Sequence, residues 1–235
     1  MKFLLAAALL AAATPANAAL QVAFSDGASK FFCADQTSCD LDGQVKNVLL
    51  LNTMVGDIRI EGTFVASSTS PDELSVSNLT ITNLGTSTQT LLMAAGDIGF
   101  VGPIAAIRSS GSGTFNNDVG GSGNVVFFAS PSNTQPAAFS TDLPGQQLFT
   151  TGLLVTKAPS SFAGDKTTPF SASGPFSMAE GAAITLRAGA SITGFNESMA
   201  TAAIPEPSTW AMMIIGAGLL ASVGWKKRRQ ARLAF

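Results

Sequence analysis

Apolar and polar residues alternate with a period of two along much of the chain, which predicts half-buried β-strands. In "DIRIEGTFV", Ile58, Ile60 and Phe64 fall on one face, and Arg59, Glu61 and Thr63 fall on the other. "LSVSNLTITN" alternates too, but Leu74 and Val76 are even-numbered whereas Leu79 and Ile81 are odd. A one-residue slip at Asn78 repairs the phase, as a β-bulge would. "AITLRA" puts Ile184 and Leu186 on one side. "VKNVLLL", "NVVFFA" and "QQLFTTGLLV" are more continuously apolar and read as fully buried strands.

Between these runs lie "SSTSPDE", "RSSGSGTFNNDVGGSGN", "SPSNTQP" and "KAPSSFAGDKTTP", which read as loops. "GSGTFNNDVGGSGN" looks like a phosphate-cradling loop only at first sight. It lacks the lysine and leads into a strand pattern, so a mobile hairpin loop is expected. No stretch between the two ends carries a helical stripe. Short strands between breaker-rich turns predict an antiparallel β-sandwich, jelly-roll-like or immunoglobulin-like, with a β-helix as runner-up. Gly56-Asp57-Ile58 and Gly96-Asp97-Ile98 repeat forty residues apart and read as two similar strand starts.

The ends follow other rules. Lys2 precedes an apolar run, Phe3 to Ala13, and Ala16-Asn17-Ala18 places small residues where a signal peptidase cuts. Residues 1–18 are expected to be a signal peptide cleaved between Ala18 and Ala19, since eleven helical residues reach only about 16 Å. At the other end, Trp210 to Trp225 is free of charge and predicts a transmembrane helix of roughly 24 Å. Tryptophan favours the headgroup level at both of its ends. Lys226, Lys227, Arg228, Arg229 and Arg232 follow, and basic flanks stay on the cytoplasmic side. Residues 19–203 are then the exported β-rich domain, 204–209 a short connecting motif, 210–225 the membrane helix and 226–235 a cytoplasmic tail. Pro205 and Pro207 deny two backbone donors and hold Ile204 and Glu206 extended, so the helix must start after them.

The order Pro205-Glu206-Pro207, Trp210-Ala211, apolar span, basic cluster resembles the PEP-CTERM sorting signal in its PEPxxWA variant. The resemblance covers the last thirty or so residues and leaves the fold of the body open. It implies export across the inner membrane of a Gram-negative bacterium, transient anchoring there, and transfer to exosortase, a membrane-embedded, cysteine transpeptidase-like enzyme. It also implies a tie to exopolysaccharide and biofilm, on the cell surface or outside it. Within that resemblance Pro205, Glu206, Pro207, Trp210 and Ala211 are recognition elements and catalyse nothing.

Composition sharpens this reading. The part between the signal peptide and the membrane helix, 19–209, holds seven basic residues against all fifteen acidic ones, about −8, while the whole chain is only −2. An acidic exterior argues against nucleic acid as a partner. Cys33 and Cys39 frame "CADQTSC" and are expected to form a disulfide in an oxidising compartment. Two cysteines and no histidine fall short of a zinc set. Asp35, Asp40 and Asp42 lack the spacing of a calcium loop and read as solvated turn residues, so no metal or other cofactor is expected.

The chain has neither histidine nor tyrosine, and no Ser-x-x-Lys occurs. The usual base for a serine or cysteine nucleophile is therefore missing, and no enzymatic activity is expected. Two rivals stay open. The Ser/Thr face of "SPDELSVSNLTITNLGTST" suits a carbohydrate- or ice-binding module, and a glycosidase would need two carboxylates facing each other across a cleft.

Overall fold

The computed structural model describes residues 20–68, 71–134 and 143–202. These belong to the first of two compact units, Met1–Ala202; the second is Ala203–Phe235. Among the described residues twelve strands make up the secondary structure and no helix occurs. They are β1 (Gln21–Ser25), β2 (Lys30–Ala34), β3 (Val48–Val55), β4 (Ile58–Ser67), β5 (Glu73–Asn83) and β6 (Gln89–Phe100). The rest are β7 (Ile104–Asn116), β8 (Ser122–Ser130), β9 (Gln146–Leu154), β10 (Ser160–Ala172), β11 (Phe176–Leu186) and β12 (Ser191–Ala202).

Two six-stranded antiparallel sheets form a sandwich: sheet 1 in the order β2-β1-β6-β11-β8-β9, sheet 2 in the order β10-β7-β12-β5-β4-β3. The pairing is nested. β5 pairs with β12, β6 with β11, β7 with β10 and β8 with β9, and successive pairs alternate between the sheets. That is a long antiparallel ribbon wrapped around a core, a jelly roll rather than an immunoglobulin arrangement or a β-helix. The hairpins β1–β2 and β3–β4 extend the two sheets at β6 and β5.

Phenylalanine fills the interior. Phe24, Phe64, Phe100, Phe115, Phe127, Phe176 and Phe195 are fully buried, and Phe24 meets Phe64 edge-on at 6.0 Å. Ile58, Ile60 and Phe64 of β4 point inward as their spacing predicts. In β5, Leu74, Val76, Leu79 and Ile81 are all buried because the strand slips at Asn78, where φ is +53° and the register against β4 shifts.

Four expectations need correction. "RSSGSGTFN" and "SSFAGDKTTP" are not loops but belong to the long strands β7 and β10, and the β7–β8 turn is confined to Asn117–Gly121. In β7 the inward glycines leave space that neighbours occupy. A Cβ on Gly113 would lie 2.8 Å from Ile192 Cδ1 and 3.0 Å from Phe162 Cε1. Pro169 is tolerated because β10 is an edge strand, where a missing N–H forfeits little. "VKNVLLL" and "QQLFTTGLLV" supply the edge strands β3 and β9, with Leu50 and Leu154 exposed, so their runs are not fully buried. "NVVFFA" buries Val125, Phe127 and Ala129 inward but leaves Val126 and Phe128 half-buried on the outer face. Finally, Gly56-Asp57 turns into β4 whereas Gly96-Asp97-Ile98 lies inside β6, so the two triplets are not equivalent strand starts.

Candidate functional site

Outward side chains of sheet 2 are almost all small and polar. Ser75 of β5 pairs with Ser198 of β12, Ser198 with Ser110 of β7, and Ser110 with Asp165 of β10, making one row across four strands. The next row runs Asn196, Ser112, Ala163. Together with Glu73, Ser77 and Arg108 they line a shallow depression of about 420 Å³. Two register shifts help shape it: β5 slips near Asn78, and β12 shifts around Gly194, where the Asn78 amide donates to Asn196 Oδ1 at 2.9 Å.

Two side-chain contacts engage hydroxyls beside the depression. Thr114 Oγ1 lies 2.9 Å from Ser161 Oγ, and Asn116 Nδ2 donates to Thr193 Oγ1 at 2.9 Å. Inside the depression the hydroxyls of Ser75, Ser77, Ser110, Ser112 and Ser198 have no hydrogen-bond partner among the described residues. The charges there are mostly neutralised in place, with Arg108 Nη2 donating to Asp165 Oδ2 at 3.2 Å. Sequence reading missed Ser110, Ser112, Asn196 and Ser198. The serine–glycine alternation of 110–113 was the available signal, since glycine can occupy the inward side of a strand where neighbours crowd it.

A second feature lies inside the sandwich. Glu180 of β11 is in phase with Met178 and Ala182, and Glu197 of β12 with Phe195 and Met199, so both point into the core. Both are fully buried, and none of their carboxyl oxygens has a hydrogen-bond partner among the described residues. The inward Ser109 Oγ is likewise unpartnered, and the residue paired with Glu197 on β7 is Gly111, which adds no side chain. Burial pushes the Glu180 carboxyl well above the usual range, and repulsion from Glu197 and then Glu73 adds to it. Burial raises Glu197 likewise. An ionised, unpaired carboxylate is costly in an apolar interior, which is the cause of both upward shifts. Both carboxyl groups are buried in the core, Glu197 directly beneath the depression that its residue helps to line.

Four further buried acidic residues hold backbone amides. Asp97 is pushed up to about 6, chiefly by burial, against the amide of Ile98, which donates to it at 2.7 Å. Asp35 repels it further, and Lys46 offsets part of the rise. Asp72 is raised by burial and accepts from the Val101 amide at 2.9 Å. Asp35 and Asp40 are buried, not solvated as expected. Asp35 accepts from Asn47 N, and Asp40 from Asp42 N and Leu50 N, which folds the loop between β2 and β3. Cys33, inward on β2, is disulfide-bonded to Cys39 of that loop, with Cα atoms 5.8 Å apart.

The outer face of sheet 1 carries an apolar trough of about 410 Å³, floored by Ala23, Ala94, Gly181 and Ala183 and bordered by Leu143. The sorting residues Pro205, Glu206, Pro207, Trp210 and Ala211, the membrane helix 210–225, the basic cluster 226–232 and the signal peptide 1–18 lie outside the described residues.

An antiparallel jelly-roll sandwich followed by a short C-terminal address is thus the class of protein that fold and sequence define. Residues 203–229 match the family described as the PEP-CTERM protein-sorting motif, covering Pro205 to Pro207, Trp210 and Ala211. No curated protein matches the chain. Among solved structures, the chain is similar to TmCBM61 in complex with β-1,4-galactotriose, at 10% identity and TM-score 0.30, covering 60% of this chain and 88% of that one. It is also similar to the carbohydrate-binding module CBM6cm-2 from Cellvibrio mixtus lichenase 5A in complex with cellotriose, at 11% identity and TM-score 0.26, covering 63% and 89%. A third similarity is to the adhesin domain of Epf from Streptococcus pyogenes, at 12% identity and TM-score 0.32, covering 77% and 57%. Likenesses this remote carry no inference about ligand or activity.

Proposed function

We propose that this chain is a non-catalytic protein of the cell surface or extracellular matrix, exported across the inner membrane of a Gram-negative bacterium and processed by an exosortase-type enzyme. The supporting observation is the PEP-CTERM match at 203–229. In this reading residues 1–18 are removed on export, and 19–203 fold outside as the jelly roll. Residues 204–209 lie extended at the membrane surface as the processing site. The helix 210–225 and the basic tail 226–235 hold the chain until transfer. Exopolysaccharide is the matrix partner, and the protein contributes to biofilm.

Deleting 205–235 tests the assignment. In a strain that carries exosortase, the intact chain should pass through the membrane fraction and end on the surface or in the medium. The truncated chain should never be recovered with membranes. Identical partitioning of the two forms would overturn the reading. A carbohydrate-binding role for the body is the second reading, favoured by the unpartnered serine hydroxyls on sheet 2.

A further inference from the structure

The depression on the outer face of sheet 2 offers more than a solvated surface. Beside it Thr114 pairs with Ser161 and Asn116 with Thr193, whereas the five serines within it have no partner among the described residues. Thr63, Thr80 and Thr82 of the same face have none either, and what sets the five serines apart is that they line a recess together. They are half-buried on the sheet face. Each is a donor and an acceptor held by a strand on a rigid sheet, and such groups gain from any ligand that supplies both. We propose that this depression binds a neutral polysaccharide chain, recognised hydroxyl to hydroxyl across the rows Ser75–Ser198–Ser110 and Asn196–Ser112. The inference rests on the reading of the protein as a matrix component and names its ligand class.

Charge selects against other polymers. Arg108 is engaged by Asp165 at 3.2 Å, and Glu73 leaves the patch slightly negative. A nucleic acid or a uronate-rich polysaccharide finds no cationic surplus there. Lipids and apolar peptides find no exposed aromatic or large aliphatic side chain in the depression. A peptide adding as a strand would use a sheet edge, β10 or β3, and not this face. The volume of about 420 Å³ falls within the usual size of small-ligand clefts. Ice is disfavoured by the recess and by Arg108, Asp165 and Glu73, which break a flat uncharged array.

Affinity electrophoresis of the full chain in mild detergent tests this, with gels containing hydroxyethylcellulose, dextran, galactomannan or alginate. At least one of the three neutral polymers should retard the protein, with little change on adding salt. The double variant S110L/S198L, which fills the depression, should weaken that binding more than tenfold, while T82L, farther along β5 and outside the depression, binds as the parent does. Because bulky substitutions can disturb folding, Ser75→Ala and Ser112→Ala provide a second arm. Each should weaken binding about threefold to tenfold at an unchanged Tm. The proposal is overturned by retardation in none of the neutral polymers, by variants that bind undiminished, by salt-sensitive binding to alginate alone, or by thermal hysteresis without polymer binding. The outcome is independent of localisation after deletion of 205–235, so ligand and sorting can fail separately.

Discussion

Gly62 of β4 sits opposite the bulge at Asn78–Leu79, and a Cβ there would lie 2.9 Å from Leu79 Cα and 2.7 Å from Leu79 Cδ1. Since the backbone Cα of Leu79 cannot swing aside, Gly62→Ala should cost about 1–3 kcal/mol, measured as a lowered midpoint of chemical unfolding. The bulge was legible because two hydrophobic pairs of opposite parity must share one core. The glycine facing it was not, because its reason is a contact across strands. Glu180 and Glu197 give the second residue-scale prediction. Their folded pKa values are raised above the unfolded ones, so the native state binds more protons than the unfolded chain at intermediate pH. Stability should therefore be greatest near pH 4 and fall as pH rises, by at most about 1.4 kcal/mol per pH unit for each group. Asp97, raised to about 6, and Asp72 act in the same direction. Unfolding by urea between pH 4 and pH 9 should show this decline, and the double variant E180Q/E197Q should flatten it. A slope unaffected by that substitution would show that the pair does not titrate as described. The phase of Glu180 with Met178 and Ile184, and of Glu197 with Phe195 and Met199, was readable beforehand. Carboxylates are taken for surface residues by habit, and that masked it.

At the scale of elements, the disulfide and the long strands are instructive in opposite ways. Cys33–Cys39 was expected from spacing and compartment, and it ties the end of β2, an edge strand of sheet 1, to the loop folded by Asp35 and Asp40. Replacing both cysteines by alanine should cost about 2 kcal/mol, or roughly 4–8 °C in Tm, with accelerated amide exchange concentrated in β1, β2 and the following loop. Uniform exchange across both sheets would contradict a local role. β7 and β10 were hidden because serine, glycine and proline serve equally as turn formers and as strand residues in special places. On β7 the glycines make room for Ile192, Phe162, Phe195 and Phe127. On β10 the edge excuses Pro169, and the exposed Asp165 and Lys166 discourage pairing with another chain.

For the whole molecule, sequence patterns reveal that strands exist but not which strands pair. β5 and β12 meet through residues such as Val76 and Glu197, over a hundred positions apart, and local alternation carries no trace of that. The distribution of charge, by contrast, was legible from one end of the chain to the other. If the segments 1–18 and the one following Pro205 are both removed, the intact mass of the mature protein will fall short of 23.9 kDa by both pieces, and its isoelectric point will drop below the 5.0 of the full sequence. Mass spectrometry with isoelectric focusing checks both. The topology also decides how the fold would respond to pulling. β12 runs to Ala202, directly before the sorting segment, and is hydrogen-bonded on one side to β5 and on the other to β7. Tension entering from the C-terminal side therefore strains two ladders at once and cannot peel a single edge strand away, so a jelly roll tethered at that end is fastened by the middle of a sheet.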